Sequence, residues 1–109
     1  LMTPRIDVAW LDVGDSPEAM RRKMLENNYS RFPICEGSLD NVIGIIKAKD
    51  FLALDTATEP AVKAVLKQPL YVPESRSALR TLEDFRRSHT HMALIINEHG
   101  GVEGLVTTN

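Results

Sequence analysis

The sequence RFPICEGSLDNVIGIIKAK (Arg31–Lys49) places two apolar runs on either side of a polar turn. Apolar runs of this length around EGSLDN predict a β-hairpin. A shift of 60 residues places the same pattern, without a gap, on HMALIINEHGGVEGLVTTN (His91–Asn109). In that alignment Gly44 coincides with Gly104. The chain therefore contains an internal repeat, and each copy includes one hairpin.

An amphipathic helix is predicted before each hairpin. In the first copy, Asp15 or Ser16 is the expected N-cap, and Pro17 follows in the first turn, where its missing N–H costs no hydrogen bond. In the second copy, the helix begins at Ser75 or Ser77. The other predicted elements are short strands at Val8–Leu11 and Leu70–Val72, a helix at Ala48–Leu54 and a helical turn at Ala61–Leu66.

These elements indicate an α/β (α+β) fold, with two small mixed sheets flanked by helices and related by a pseudo-twofold axis. A half of about 50 residues buries little core by itself, so we expect the two copies to pack together. The first repeat is assigned to residues 1–57, a linker to 58–69 and the second repeat to 70–109. The last helix of the second repeat is truncated, and we interpret the chain as a fragment of a longer protein.

Composition excludes several classes of protein. Of the 109 residues, 26% are charged and 43% are hydrophobic, which is ordinary for a globular domain and argues against disorder. A formal net charge of -2 gives no broad positive field for nucleic acid. The single cysteine, Cys35, cannot form an internal disulfide, which indicates a reduced, cytosolic protein. No apolar run approaches the roughly 20 residues of a membrane-spanning helix.

The sequence shows no catalytic arrangement, and we predict that the chain is not an enzyme. It has no P-loop, no G-x-S-x-G and no cysteine next to a histidine in a motif. His89 and His91 form an H-x-H pair, and on a strand both imidazoles would share one face. Since no third ligand is evident, no metal site is predicted.

Five strings carry a resemblance to a known family: MTPRIDVAWLD (Met2–Asp12), YSRFPIC (Tyr29–Cys35), SLDNVIGIIKAKDFL (Ser38–Leu52), PLYVPE (Pro69–Glu74) and HMALIINEHGGVEGLVT (His91–Thr107). In combination they resemble the tandem cystathionine-β-synthase (CBS) domain pair, or Bateman module, of the CorC/HlyC family. Members are often called hemolysin-like or magnesium and cobalt efflux proteins. The resemblance implies two β-α-β-β-α repeats. It also implies a place on the cytosolic side of the membrane, between a membrane transporter domain and a C-terminal domain.

The resemblance further implies binding of an adenine nucleotide, AMP or ATP, with magnesium arriving on the phosphates. The family signature is Gly, two apolar residues, Ser or Thr, two further residues and Asp, and it corresponds to Gly44–Asp50. Asp50 takes the acidic position, where a carboxylate can accept both ribose hydroxyls. Lys47 replaces the hydroxyl residue and either contacts a phosphate or only fills the space. Arg31 is either a phosphate ligand or a salt-bridge residue.

The second copy carries the same signature from Gly104 onward. Thr107 matches the hydroxyl position, and it would cap a following helix and donate to a phosphate. The corresponding Asp would fall one residue beyond Asn109. A structural interpretation stands beside the nucleotide one: Asp50 suits the first turn of a helix, and Gly44 and Gly104 permit a bulge or close backbone packing.

Two functions follow from the resemblance. The first is a regulatory module that binds an adenine nucleotide, forms a homodimer and transmits the binding event to an attached ion transporter by linkage. The alternative is a structural dimerisation module of the same parent protein that binds no small molecule. Lys47 in place of Ser or Thr favours the alternative.

Overall fold

The strands form two separate mixed sheets in a computed structural model that describes residues 2–108. This is the mixed α+β fold that the sequence predicts. The elements are β1 (Thr3–Pro4), β2 (Leu11–Asp12), α1 (Pro17–Glu26), β3 (Arg31–Cys35), β4 (Val42–Lys47), α2 (Ala48–Leu52), α3 (Glu59–Ala64), β5 (Leu70–Pro73), α4 (Ala78–Ser88), β6 (Met92–Ile96) and β7 (Val102–Thr107), with a 3-10 turn at Arg5–Asp7.

Residues 9–68 form one compact unit. Its sheet has the order β2-β3-β4, with β2 parallel to β3 and β3 antiparallel to β4. The hairpin completely buries Phe32 and Ile46, which are directly paired in its register. Helix α1 contributes Met20 and Met24 to this core. The buried core consists of Leu11, Val13, Met20, Met24, Phe32, Ile34, Ile46, Phe51 and Val62.

The other compact unit consists of residues 2–8 and 69–108. Its sheet has the order β1-β7-β6-β5, with β5 parallel to β6 and both remaining pairs antiparallel. Val72, Phe85 and Ala93 form one buried cluster of this unit, against which Leu70, Ile95 and Val106 pack. The hairpin of β6 and β7 is the second copy of the predicted pattern.

The long helices begin at hydroxyl caps. The Ser16 side chain accepts a hydrogen bond from the Ala19 N–H at 3.1 Å, so Ser16 rather than Asp15 is the N-cap of α1. The Ser77 side chain accepts one from the Arg80 N–H at 3.2 Å and therefore caps α4. In both helices the serine side chain accepts a hydrogen bond from a first-turn N–H group that has no partner within the helix. The sequence pattern predicts caps of this kind.

Gly44 and Gly104, which the repeat aligns, each lie where another segment of the chain packs closely against the strand. A Cβ on Gly104 would lie 2.3 Å from the carbonyl oxygen of Thr3, because β1 runs directly beside β7. A Cβ on Gly44 would lie 2.8 Å from the Cβ of Leu66. The next residue, Lys67, exchanges two backbone hydrogen bonds with Ile45, at 2.7 and 2.9 Å. In each sheet, the absence of a side chain on the glycine therefore lets a neighbouring segment pack directly against its strand, β4 or β7.

The prediction of a strand at Val8–Leu11 is wrong. Strand β2 begins only at Leu11 and ends at Asp12, whose carboxylate accepts hydrogen bonds from the N–H groups of Gly14 and Gly37. These bonds turn the chain after two residues. Residues 2–8 instead contribute β1 to the second sheet, which local sequence patterns do not reveal.

The two short helices differ from their predicted bounds. Helix α2 ends at Leu52, two residues early, where the Ala53 N–H closes the last turn onto Lys49. Helix α3 begins at Glu59, because Thr58 is its N-cap and a proline follows in the first turn. On α3, the Glu59 carboxylate lies 2.9 Å from the Lys63 Nζ, and this hydrogen bond raises the pKa of Lys63. No helix within residues 2–108 has the length and apolar character needed to cross a bilayer.

Candidate functional site

A cleft of about 430 Å³ opens where the β3–β4 hairpin meets α2. This is within the range of roughly 300–1,000 Å³ that is typical of small-molecule sites. Arg31 and Lys47 are directly opposite each other in the hairpin, and the Ala48 N–H donates a 2.9 Å hydrogen bond to the Ser30 carbonyl. The backbone therefore fixes both walls of the cleft. Its lining residues are Tyr29, Ser30, Arg31, Lys47, Ala48 and Lys49.

The charge of this cleft is positive. Arg31, Lys47 and Lys49 are cations, and no carboxylate is among the described residues that line it. Directly opposed residues of an antiparallel pair have Cβ atoms about 4.5–5.5 Å apart, and like charges there are destabilising. Neither the Arg31 nor the Lys47 side chain has a hydrogen-bond or ion-pair partner among residues 2–108. The arrangement favours an anion that contacts both side chains.

Asp50 stands beside the cleft on α2, the helix whose first two residues line it. The side chain is half-buried, and within the described part of the chain its carboxylate has no hydrogen-bond or ion-pair partner. Gly44 is buried in β4 opposite Ile34 and does not line the cleft. Of the predicted site residues in the first copy, the structure thus brings Arg31 and Lys47 together in one cleft, with Asp50 adjacent along the helix.

The corresponding end of the second hairpin has different chemistry. Thr107, the last residue of β7, lies opposite Met92 and is exposed. The His91 Nδ1 lies 3.1 Å from the Thr108 Oγ1, and the Thr108 N–H donates to the His91 carbonyl. In the 60-residue repeat, His91 and Thr107 correspond to Arg31 and Lys47. The strand register instead pairs Thr107 with Met92, so this copy lacks the two opposed cations. The helix that Thr107 is expected to cap would lie outside the described residues.

His89 and His91 do not share a strand face, the arrangement that would let an H-x-H pair meet one ion. His89 is the C-cap of α4 in the left-handed conformation, with φ 57°, and β6 begins only at Met92. A residue that terminates a helix in this way cannot continue as a strand. Among residues 2–108, no group of three or more His, Cys, Asp or Glu side chains is placed to hold a metal ion.

Three residues that line the cleft were not predicted from the sequence: Tyr29, Ser30 and Lys49. Tyr29 is 57% exposed, and its ring packs edge-to-face on Phe32, with centroids 6.1 Å apart and an interplanar angle of 70°. This contact holds a flat aromatic face at the cleft. The available signal was adjacency, since these residues directly flank Arg31 and Lys47 in the sequence.

Comparison with known proteins places the chain in a family. The CBS domain model matches residues 1–56 and 62–109. The UPF0053 protein sll0260 of Synechocystis is 44% identical over 110 residues, which cover 100% of this chain and 25% of that protein. The UPF0053 inner membrane protein YoaE of Escherichia coli K12 is 36% identical over 108 residues, covering 98% of this chain and 21% of that protein. The chain therefore spans about a quarter or less of these curated relatives.

A solved structure agrees with this assignment. The CBS domain of the bacterial CNNM/CorC family Mg2+ transporter in complex with ATP is 33% identical and has a TM-score of 0.85, covering 97% of this chain and 77% of that one. The repeated hairpin–helix pattern, the family match and the structural match agree on the family that the sequence predicts. The chain belongs to the CBS domain family, and its two copies form the tandem CBS pair of the CorC/hemolysin-like group.

Proposed function

We propose that this CBS pair is a regulatory module that binds an adenine nucleotide, with the phosphates held between Arg31 and Lys47. The observation that carries the proposal is the direct opposition of these two cations, whose side chains have no hydrogen-bond or ion-pair partner among residues 2–108. An anion between them offsets their repulsion and makes charge-assisted hydrogen bonds to both. The relative in complex with ATP supports a nucleotide as that anion.

The other cleft residues suit the remaining parts of a nucleotide. Lys49 adds a third positive charge at the cleft, and the exposed Tyr29 ring offers a face on which a base can stack. Asp50, on the same helix, is proposed to accept the ribose hydroxyls. Thr107 as a phosphate donor in the second copy stays a prediction. For Gly44 and Gly104 we propose an indirect role, because each shapes its strand by admitting a neighbouring segment.

Asp50→Ala is expected to remove about half or more of the stabilisation that ATP gives at a fixed concentration. ATP at 100 times its dissociation constant should stabilise the wild-type protein by about 2.7 kcal/mol. Loss of a hydrogen bond to a charged group costs about 1.5–3 kcal/mol, so the variant should bind AMP and ATP at least about tenfold more weakly. Thermal unfolding with AMP, ADP and ATP, followed by titration calorimetry, measures both effects.

Asp55→Ala is the matched control, because Asp55 is an exposed acid that follows α2 and does not line the cleft. Its affinity for ATP should equal that of the wild type. Equal ATP binding by Asp50→Ala and the wild type would exclude Asp50 as the ribose ligand. The absence of any nucleotide-dependent stabilisation in the wild type would instead support the ligand-free structural module.

The regulatory part of the proposal concerns the longer protein. We propose that the CBS pair adjoins a membrane transporter domain and a C-terminal domain on the cytosolic side of the membrane, as in the family that the sequence resembles. One of its relatives is named an inner membrane protein. A nucleotide that binds one arrangement of the module better than another shifts the population toward it. The attached transporter of magnesium or cobalt would respond to that shift.

We also propose that the module forms a homodimer. Leu79 and Leu82, three residues apart on α4, are 69% and 49% exposed, and Leu25 on α1 is 74% exposed. Sedimentation of the chain should therefore give about twice the 12.2 kDa of one copy. Leu79→Ser together with Leu82→Ser should shift the equilibrium toward monomer, because it removes apolar area from the helix surface. A wild-type chain that sediments as a monomer would contradict the dimer.

A further inference from the structure

We infer that the cleft selects the metal-free form of the nucleotide, so that free Mg²⁺ competes with the protein for the phosphates. This inference rests on the proposed function and specifies how the same site is regulated. It departs from the expectation that magnesium accompanies the nucleotide. The reason lies in the charges around the cleft.

The cleft is a poor site for Mg²⁺. This ion requires near-octahedral oxygen coordination and is usually bound through one or two carboxylates together with phosphates. Among the described lining residues, the side-chain oxygens are only the neutral hydroxyls of Tyr29 and Ser30. Arg31, Lys47 and Lys49 contribute positive charge instead. A phosphate-bound Mg²⁺ would therefore bring two more positive charges next to three cations.

The nearest acid along the chain does not change this balance. Asp50 lies on α2 just after Lys49, outside the lining residues. A carboxylate that accepts ribose hydroxyls is not free to coordinate a metal on the phosphates. Mg²⁺ on the phosphates also lowers the negative charge that the cations attract. The metal-bound nucleotide thus gains less from the cleft and meets more repulsion.

Lys47 is the residue that makes the cleft prefer the metal-free nucleotide over the Mg²⁺-bound form. It occupies the signature position of a Ser or Thr, whose neutral hydroxyl would donate one hydrogen bond without adding charge. The lysine places a full charge directly opposite Arg31. Occupancy of the module then falls as free Mg²⁺ rises, because the metal-free nucleotide becomes scarcer. The nucleotide would report Mg²⁺ in a chain whose solved relative comes from an Mg2+ transporter.

Titration calorimetry with ATP, in EDTA and in excess Mg²⁺ with ionic strength held constant by NaCl, tests the inference. The dissociation constant for ATP should rise by about tenfold or more in Mg²⁺, since Coulomb attraction scales with the charge on the phosphates. The value for AMP, which chelates Mg²⁺ weakly, should change little. Equal or tighter ATP binding in Mg²⁺ would overturn the inference while leaving the proposed function intact. Failure of ATP to bind in either buffer would overturn both.

A pair of variants tests whether the charge of Lys47 causes the Mg²⁺ dependence of ATP binding. Lys47→Thr restores the hydroxyl of the family signature, and its ATP affinity should depend much less on Mg²⁺ than that of the wild type. Lys67→Thr makes the same change at an exposed lysine outside the cleft and should keep the full Mg²⁺ effect. A Lys47→Thr variant with the wild-type Mg²⁺ dependence would overturn the assignment of the effect to this residue.

Discussion

Arg31→Gln combined with Lys47→Gln is expected to weaken ATP binding by about 100-fold or more, because each charge-assisted hydrogen bond contributes about 1.5–3 kcal/mol. The two side chains are directly opposed across the β3–β4 hairpin and would contact the same phosphates. The two single substitutions should therefore be non-additive, as is usual for residues that share a partner. Titration calorimetry of the two single variants and the double variant measures the coupling.

The same double variant should not unfold the protein. Since like charges directly opposed on a sheet are unfavourable, removing both should leave the free energy of unfolding unchanged or raise it by about 0.2–1 kcal/mol. Lost binding together with retained or increased stability distinguishes a ligand site from a structural one. Urea denaturation without ligand measures the free energy of unfolding of the double variant and of the wild type. A clear loss of stability would mean that the two cations support the fold instead.

A matched control comes from α1, where Arg21 and Arg22 are exposed and lie outside the cleft. Arg21→Gln with Arg22→Gln changes the net charge by the same amount as the cleft variant. Its ATP affinity should stay close to that of the wild type, because exposed charges at a distance are screened by salt. An equal loss of affinity in both double variants would indicate a general charge effect and would contradict a specific site.

The elements that sequence analysis predicted well are those stabilised locally. Both hairpins were visible because apolar runs flank a polar turn of a few residues. The cap of α1 was visible because Ser16 precedes a proline and an amphipathic run. The pairing of β1 with β7 was not predictable, because Thr3–Pro4 is only two residues long and its partner is near the other end of the chain. So short a strand carries no pattern of its own, and its pairing depends on contacts with a segment that is distant in the sequence.

The candidate site was predicted in part for a similar reason. Arg31 and Lys47 could be named from the signature and from the start of a strand, and the hairpin register then places them opposite each other. The charge balance of the cleft depends on Lys49 and on the absence of a lining carboxylate among the described residues. Both depend on which side chains the turn from β4 into α2 brings to the surface. Spacing alone does not determine that choice.

Gly104→Ala is expected to lower the free energy of unfolding by about 1–3 kcal/mol, the usual cost of overpacking. The new Cβ would lie 2.3 Å from the Thr3 carbonyl oxygen. That oxygen belongs to the backbone of β1 and cannot move away without loosening the pairing of Pro4 with Gly104. Urea denaturation measures the loss. Gly14→Ala is the control, because its Cβ would meet only the Asp12 Oδ1, at 3.4 Å.

Removing residues 1–4 should reverse the sign of this substitution. The shortened chain loses β1 and is less stable, but it also loses the carbonyl oxygen and the Met2 side chain that crowd Gly104. In that background, alanine should stabilise the strand by about 0.5–1 kcal/mol, because glycine in a strand loses more conformational freedom on folding. The double-mutant cycle therefore isolates the contact between β1 and β7. If Gly104→Ala costs the same in both backgrounds, the glycine is required by something other than the arriving strand, and the role proposed for it is wrong.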